Sequence, residues 1–292
     1  MTVTNPHAEA SKQAMNLLKQ YASSVEGWNM TQEKEGVKLY SKQVDSSSIP
    51  LVRGDTLLAG HQFTAQQVAT VATLPGCRKM WDEKYDSSEI KTMYSRYESL
   101  FWVKMKAPWP VSPRDICATS YREVSEDECH IAMVSVEDNT VPPLSGCVRA
   151  NLMLSGWKIV KVEAGIAVTY ITQVDLAGAI PSSFLKSIQQ QVPMCAGSVV
   201  KYIQDHGYAP TTSECTAEFK LETFEHSKKE YVAQLDGIGN ATWLISKRMY
   251  PSGFKVSLDG KGTKQTTDHH HGDQLLTVTD INGPLTVKIN KA

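Results

Sequence analysis

The sequence predicts an α+β protein in which an antiparallel sheet is closed by a long helix and followed by a smaller all-β part. Three observations carry this expectation. A train of segments between residues 88 and 175 is rich in Val, Ile, Thr, Tyr and Trp, and turn-like residues separate most of them, the rhythm of an antiparallel meander. Behind it Phe184, Ile188, Val192, Cys195, Val199 and Ile203 recur at helical spacing. Beyond Tyr208 the pattern changes to short strand-like pieces broken by Asp236-Gly237, Asp259-Gly260 and Asn282-Gly283, pairs that favour tight turns.

Taken in order, residues 8–22 read as a helix with Ala14, Leu17, Leu18 and Tyr21 on one stripe. Strand-like segments follow at 37–42 and 50–60. A helix covers 64–72, with Thr64 placed to cap it, and a short helical piece covers 77–82. The meander then runs through 88–95, 97–106, 114–124, 129–137, 147–154, 157–163 and 166–175. The long helix extends from Pro181 to about His206. Proline suits a first helical turn, but Pro193 lies inside and predicts a kink or break, and Gly207 predicts the stop. Residues 208–213 read as a connector. Strand-like pieces at 217–224, 231–236, 241–246, 254–258, 274–279 and 285–289 follow, with Trp243, Ile245, Tyr250, Phe254, Val256 and Leu258 as their expected core. The expected division is 1–209 and 215–292, joined by a linker at 210–214.

Composition narrows the function classes. The 292 residues carry 30 Lys+Arg against 31 Asp+Glu, a balance without the excess positive charge that nucleic-acid binding demands. The start lacks the apolar stretch of a signal peptide, and the uncharged run 56–77 is too polar for a spanning helix, so a cytoplasmic protein is expected. Six cysteines occur without a CxxC pair and read as reduced, mostly buried thiols. Asp268-His269-His270-His271 is the one His cluster, but adjacent residues on a strand alternate faces, and a solvated loop is the simpler reading. GxSxG, HExxH and P-loop motifs are absent, and Gly237-Ile238-Gly239-Asn240 does not complete a dinucleotide fingerprint. No catalytic residue, metal or cofactor is expected.

Four blocks of residues add a resemblance. They are Arg78-Lys79-x-Trp81-Asp82, Pro110-x-x-Pro113-Arg114-Asp115, Pro142-x-x-x-Gly146-x-Val148-Arg149-Ala150 and Val174-Asp175-Leu176-x-Gly178-x-Ile180-Pro181. In this order, ahead of a long helix, they resemble the START (StAR-related lipid transfer) domain family over residues ~15–207. The resemblance implies a helix-grip fold: a curved antiparallel sheet around the C-terminal helix, enclosing an apolar tunnel that holds one lipid. It implies binding and intermembrane transfer of that lipid without catalysis, with a transient membrane surface as partner.

In the family's register Phe101, Val103 and Met105 face the tunnel, then Ile116, Ala118 and Ser120, then Ile131, Met133 and Ser135, then Met153 and Ser155, with Tyr170 less securely placed. Ile188, Val192 and Cys195 line it from the helix. The resemblance makes Glu137–Gly146 a mobile loop at the tunnel mouth, with Val141, Pro142, Pro143 and Leu144 as a membrane-contact tip. Departures are informative. The positions matching the choline-binding aromatic cage of some members are Val103, Ile116 and Met153, none aromatic. The positions matching the buried acid–base pair of sterol-binding members are Phe101 and Ser120. Arg78 and Asp82 match positions near a phospholipid head group, which keeps phosphate binding by Arg78 open. The anchors also have structural roles: Arg114 and Asp115 pair with each other at a strand entrance, and Asp175 and Gly178 shape the turn into the last helix. Residues 215–292 resemble no family, and either dock on the first part, recruit a protein partner, or touch membrane through Lys247-Arg248. A lipid-regulated interaction module and a helix-grip enzyme on a lipid or polyketide remain alternatives to a carrier.

Overall fold

The computed structural model describes residues 4–45, 47–178, 180, 188 and 190–292. Pro181 and Phe184 of the expected helix lie outside them. The chain divides into two compact units, Met1–Ala65 with Asp82–Val200, and Gln66–Trp81 with Lys201–Ala292.

In the first unit, helix α1 (Ala8–Ala22) buries Ser11, Ala14, Met15, Leu18 and Ala22. These recur every three or four residues, so the stripe is helical. It is rotated from the expected one, and Leu17 points to solvent. A single antiparallel sheet carries β1 (Asn29–Lys34), β2 (Val37–Val44), β3 (Ser47–Ala59), β4 (Tyr85–Ser95), β5 (Glu98–Met105), β6 (Arg114–Val124), β7 (Glu128–Ser135), β9 (Asn151–Val162) and β10 (Gly165–Asp175). Their order is β1-β2-β3-β10-β9-β7-β6-β5-β4, and the two-residue β8 (Val148–Arg149) runs parallel to β6. The meander expectation holds, with two corrections. Strand β1 is exposed along its whole length and has Met30 as its one apolar residue, so it carries no periodicity to read. The segments 147–154 and 157–163 are not separate strands, because β9 runs straight through Ser155-Gly156. Gly156 is there for packing. A Cβ on it would stand 2.6 Å from both the Leu18 side chain and the Ile131 carbonyl, so its absence lets α1 close on the sheet.

The expected long helix is broken where Pro193 predicts. Val192–Met194 forms a 3-10 turn, and α4 (Cys195–His206) continues from it. Gly207 ends α4 at φ +75°, its N–H donating to the Ile203 carbonyl. This α+β, helix-grip-like sheet with its C-terminal helix is accompanied by a distinct all-β C-terminal part.

The second unit contains α2 (Ala65–Thr73) from Gln66 onward, α3 (Pro75–Trp81) and two four-stranded sheets. Its strands are β11 (Thr211–Cys215), β12 (Glu218–Glu225), β13 (Glu230–Asp236), β14 (Ile238–Ile245), β15 (Phe254–Gly260), β16 (Thr263–Asp268), β17 (Gln274–Asn282) and β18 (Leu285–Lys291). The orders are β11-β14-β17-β16 and β12-β13-β18-β15. Every step from an odd-numbered strand to the next changes sheet across one or two residues. The eight strands are thus four long ones, each bent at a corner and paired in the same order on both sides. Glycine makes two of these corners, Gly237 at φ +79° and Gly283 at φ +92°. The residues 211–215, in the stretch read as a connector, are strand β11. Trp243, Ile245 and Tyr250 are buried as expected, whereas Phe254, Val256 and Leu258 are half-buried because β15 is an edge strand. Strand β16 went unread because all its residues are exposed and polar.

Candidate functional site

The sheet of the first unit has two differently filled faces. Against α1, Leu51, Ala132, Leu154 and Ile171 pack with Ala14, Met15, Leu18 and Ala22. Alternate residues point the other way. There Val103, Ile116, Ala118 and Leu152 cluster, and Phe101, Met105, Met133 and Val174 pack around them only half-buried. Met133 lies on β7, inside the sheet, and its neighbour Ala132 is fully buried on the α1 face. Met133 is thus left partly exposed although its strand is not at an edge of the sheet.

Register brings most of the expected residues together. Val103 pairs with Ile116 and Phe101 with Ala118. Ser120 pairs with Met133, Met133 with Ser155, and Ile131 with Trp157. Tyr170 stands between Trp157 and Gly54 and stacks on the indole at 4.3 Å. Met105 is at the end of the same face, and Ile131 is fully buried in it. Met153 occupies a bulge of β9, where the register to β10 shifts, and its sulfur contacts the Ser47 hydroxyl at 3.9 Å. Ile188, Val192 and Cys195 are half-buried, while Ala196 and Val199 are fully buried. Gly54 lies against Pro193, so the 3-10 turn rests on β3. Arg78 is on α3, which belongs to the second unit, with its guanidinium over the Trp81 ring.

Ser120 hydrogen-bonds Ser99 at 2.8 Å, and Ser155 hydrogen-bonds the Tyr170 hydroxyl at 3.0 Å. Thr172, paired with Ser155 in register, donates to the Leu154 carbonyl. Sequence reasoning missed Ser99, Trp157 and Thr172. The period of two that selected Phe101 also selects Ser99, two residues earlier.

The loop between β7 and β8 corrects one expectation. Val141 is not at an exposed tip: it is 3% exposed and packs with Leu100 and Cys117. Pro142, Pro143 and Leu144 are exposed. Asp115 holds the loop, its Oδ2 accepting from Arg149 Nη2 at 2.8 Å, Trp102 Nε1 at 3.0 Å and the Leu144 N–H at 3.1 Å. Burial raises the carboxyl pKa, but these donors outweigh it and leave the group lowered. Arg114 and Asp115 do not pair with each other. Arg114 donates instead to the carbonyls of Ser112, Leu176 and Ala177, and so pins the segment after β10. Asp175 accepts from the Ala177 N–H and Gly178 has φ +72°, the turn expected of them. The β5–β6 loop carries Trp109, 93% exposed. Both loops leave one end of the sheet, where the Val148 N–H donates to the Pro113 carbonyl.

The second unit holds a buried polar chain that the sequence did not disclose. Lys229 Nζ lies 2.9 Å from His226 Nε2, and His226 Nδ1 lies 2.6 Å from the Tyr202 hydroxyl. Tyr202 is also beside the fully buried Cys77 thiol, whose pKa burial pushes up to about 12. Such a thiol is inert. Cys117 and Cys129 are also buried, the other three cysteines are half-buried, and none forms a disulfide. His269, His270 and His271 are exposed. Among the described residues no three His, Cys, Asp or Glu side chains are placed to hold a metal ion, and no helix is long and apolar enough to cross a membrane.

Comparison with known proteins places these features. A family model described as the START domain matches residues 9–207. An uncharacterized protein of Pseudomonas aeruginosa is 25% identical over 175 residues, 58% of this chain and 82% of the relative. Human StAR-related lipid transfer protein 5 superposes with a TM-score of 0.61 at 20% identity, covering 68% of this chain and 96% of that one. A fragment of a STAR-related lipid transfer protein from Xanthomonas axonopodis gives 0.50 at 25% identity, covering 62% and 98%. These likenesses support a general lipid-binding and transport role and are consistent with a non-enzymatic protein. With the model matching more than half its length, the chain belongs to the START domain family.

Proposed function

We propose that the first unit binds one lipid on the sheet face opposite α1 and carries it between membranes in the cytoplasm without chemical change. The observation that supports this most is the partial exposure of Phe101, Met105 and Met133, three large apolar side chains around one cluster on that face, in a sheet whose other face is closely packed. Apolar side chains left partly exposed are stabilised by an apolar guest, at about 0.8 kcal/mol per buried CH₂. Phe101, Val103, Met105, Ile116, Ser120, Ile131, Met133 and Tyr170 are its contacts on the sheet, and Ile188, Val192 and Cys195 on the helical segment. Trp109, Pro142, Pro143 and Leu144 meet the bilayer during exchange, because they project from loops at one end of the sheet. The C-terminal β part selects the target, a membrane or a protein partner. Native mass spectrometry of the purified full chain, with lipid extraction, tests the reading: one co-purifying lipid per chain is expected, and a chain that stays empty after exposure to mixed lipid vesicles overturns it. Vesicle-to-vesicle transfer then separates a carrier from a lipid-regulated sensor, which would load but not deliver.

A further inference from the structure

The hydroxyls on the ligand-facing side are aligned. In register, Ser99 on β5, Ser120 on β6, Met133 on β7, Ser155 on β9, Thr172 on β10 and Val52 on β3 form one row straight across the sheet. The four hydroxyl residues in it are each 5% exposed or less. No position in the row is ionisable. To one side lie Phe101 and Ala118, and beyond them Val103 and Ile116. To the other lie Ile131 and Trp157. A row of buried hydroxyls therefore crosses this face with apolar residues on both sides, while Ser135, beside Ala118, already accepts from the Leu152 N–H and Tyr170 is bonded to Ser155.

Hydrogen counting shows what this row can offer. Ser99 and Ser120 have two hydroxyl hydrogens between them, and their mutual bond uses one. The second hydrogen has no partner among the described residues and is available to a guest on this face. Ser155 and Tyr170 make a second hydroxyl pair two strands away, roughly 10 Å across the sheet. Hydroxyls of this kind match an uncharged oxygen. They are poor company for a charge, since an ion taken out of water without a partner loses several kcal/mol. The row itself holds no cation; Arg122, two residues beyond Ser120 on the same face of β6, pairs with Ile131 in the next row and is half-buried.

On the reading that this face binds lipid, we infer that the ligand is a neutral lipid bearing a hydroxyl, ketone or ester oxygen, seated on the Ser99–Ser120 pair with hydrocarbon on both sides. A phosphate or an ionised carboxylate seated on this row would meet no charged partner within it, so phospholipids and ionised fatty acids are disfavoured there.

The test uses the full chain and four probes: oleyl alcohol, oleate, phosphatidylcholine in vesicles, and 1-octadecene. Oleyl alcohol is expected to bind at least tenfold tighter than oleate or phosphatidylcholine at pH 7.5. In a Ser99→Ala/Ser120→Ala double variant its affinity falls about fivefold, the equivalent of one hydrogen bond of about 1 kcal/mol, while 1-octadecene is unaffected. Replacing both partners at once leaves no orphaned hydroxyl, and probe selectivity on the unaltered chain decides the matter even if the variant does not fold. Equal or tighter binding of oleate or phosphatidylcholine overturns the inference and leaves lipid carriage standing. So does an unchanged oleyl alcohol affinity in a folded double variant. Failure of all four probes to bind removes the underlying reading, and the inference with it.

Discussion

Gly54 offers a sharp test of how the helical segment seats on the sheet. A Cβ built there stands 2.8 Å from the Pro193 carbonyl carbon and 3.2 Å from its Cβ, and closer still to its carbonyl oxygen. Ordinary carbon contacts are about 3.5–4.0 Å, so the turn must retreat by roughly 1 Å. The obstacle is backbone, and no rotamer change relieves it. Overpacking of this kind costs about 1–3 kcal/mol. In a unit of this size each kcal/mol moves Tm by roughly 2–4 °C, giving an expected fall of about 2–12 °C for Gly54→Ala. The sign makes the test decisive. Gly54 is not among the positive-φ glycines. Without the contact, alanine would stabilise by about 0.4–1 kcal/mol through loss of unfolded-state entropy. Calorimetry and native mass spectrometry on the variant should show a lower Tm and reduced lipid retention together. A Tm that is unchanged or higher refutes the seating of Val192–Met194 on β3.

Two further outcomes are expected. Trp109→Asp and Leu144→Asp, each placing a charge on an exposed loop, should slow transfer between vesicles several-fold while lipid loading in solution is retained; transfer at the original rate would remove these loops from the exchange step. In the second unit, burial first, and then the neighbouring charges of Lys229 and His206, bring His226 down to about 4. A histidine whose folded pKa lies below its unfolded value of about 6.5 is favoured neutral by folding. Its contribution is complete above about pH 6.5 and is lost as pH falls from there toward about 4. Thermal unfolding at pH 7.5 and 5.0 should therefore show a larger loss in the natural chain than in His226→Gln, and equal losses would show that another group sets the acid sensitivity.

What could be read from the sequence depended on whether a residue's role was local. The α1 boundaries were legible because Ala, Leu and Lys sustain a helix over 8–22 without a breaker. Its buried face was only partly so, since Leu17 and Leu18 are equally apolar and Gly156, 138 positions away, decides which of them meets the sheet. Strands β1 and β16 left no signal because both are exposed along their whole length. The partner of Asp115 was misread for a similar reason. Arg114 is adjacent in sequence, but neighbours on a strand face opposite ways, and the parallel β8 brings Arg149 alongside instead. The corners of the C-terminal part were seen as turns, yet nothing local says that the chain crosses to a second sheet rather than doubling back.

The contrast between the two faces of the first sheet ties stability to function. Both are made by the same strands, so alternation alone decides which atoms each receives. The α1 face is given Ala132 and Gly156, which, with Ala14 and Ala22 of the helix itself, are small groups that let the helix approach closely. The opposite face is given Phe101, Met105 and Met133, long side chains that stay half-exposed. Methionine adapts to irregular partners at little cost, which suits a surface meant to receive guests of more than one length. A face of that kind is incomplete until occupied, and the chain should therefore be more stable loaded than empty, by RT ln(1 + [L]/Kd). The same term opposes release in water. On the proposed reading, delivery then requires a membrane that offers the lipid an equally apolar place, at the end of the sheet where Trp109 and Leu144 project.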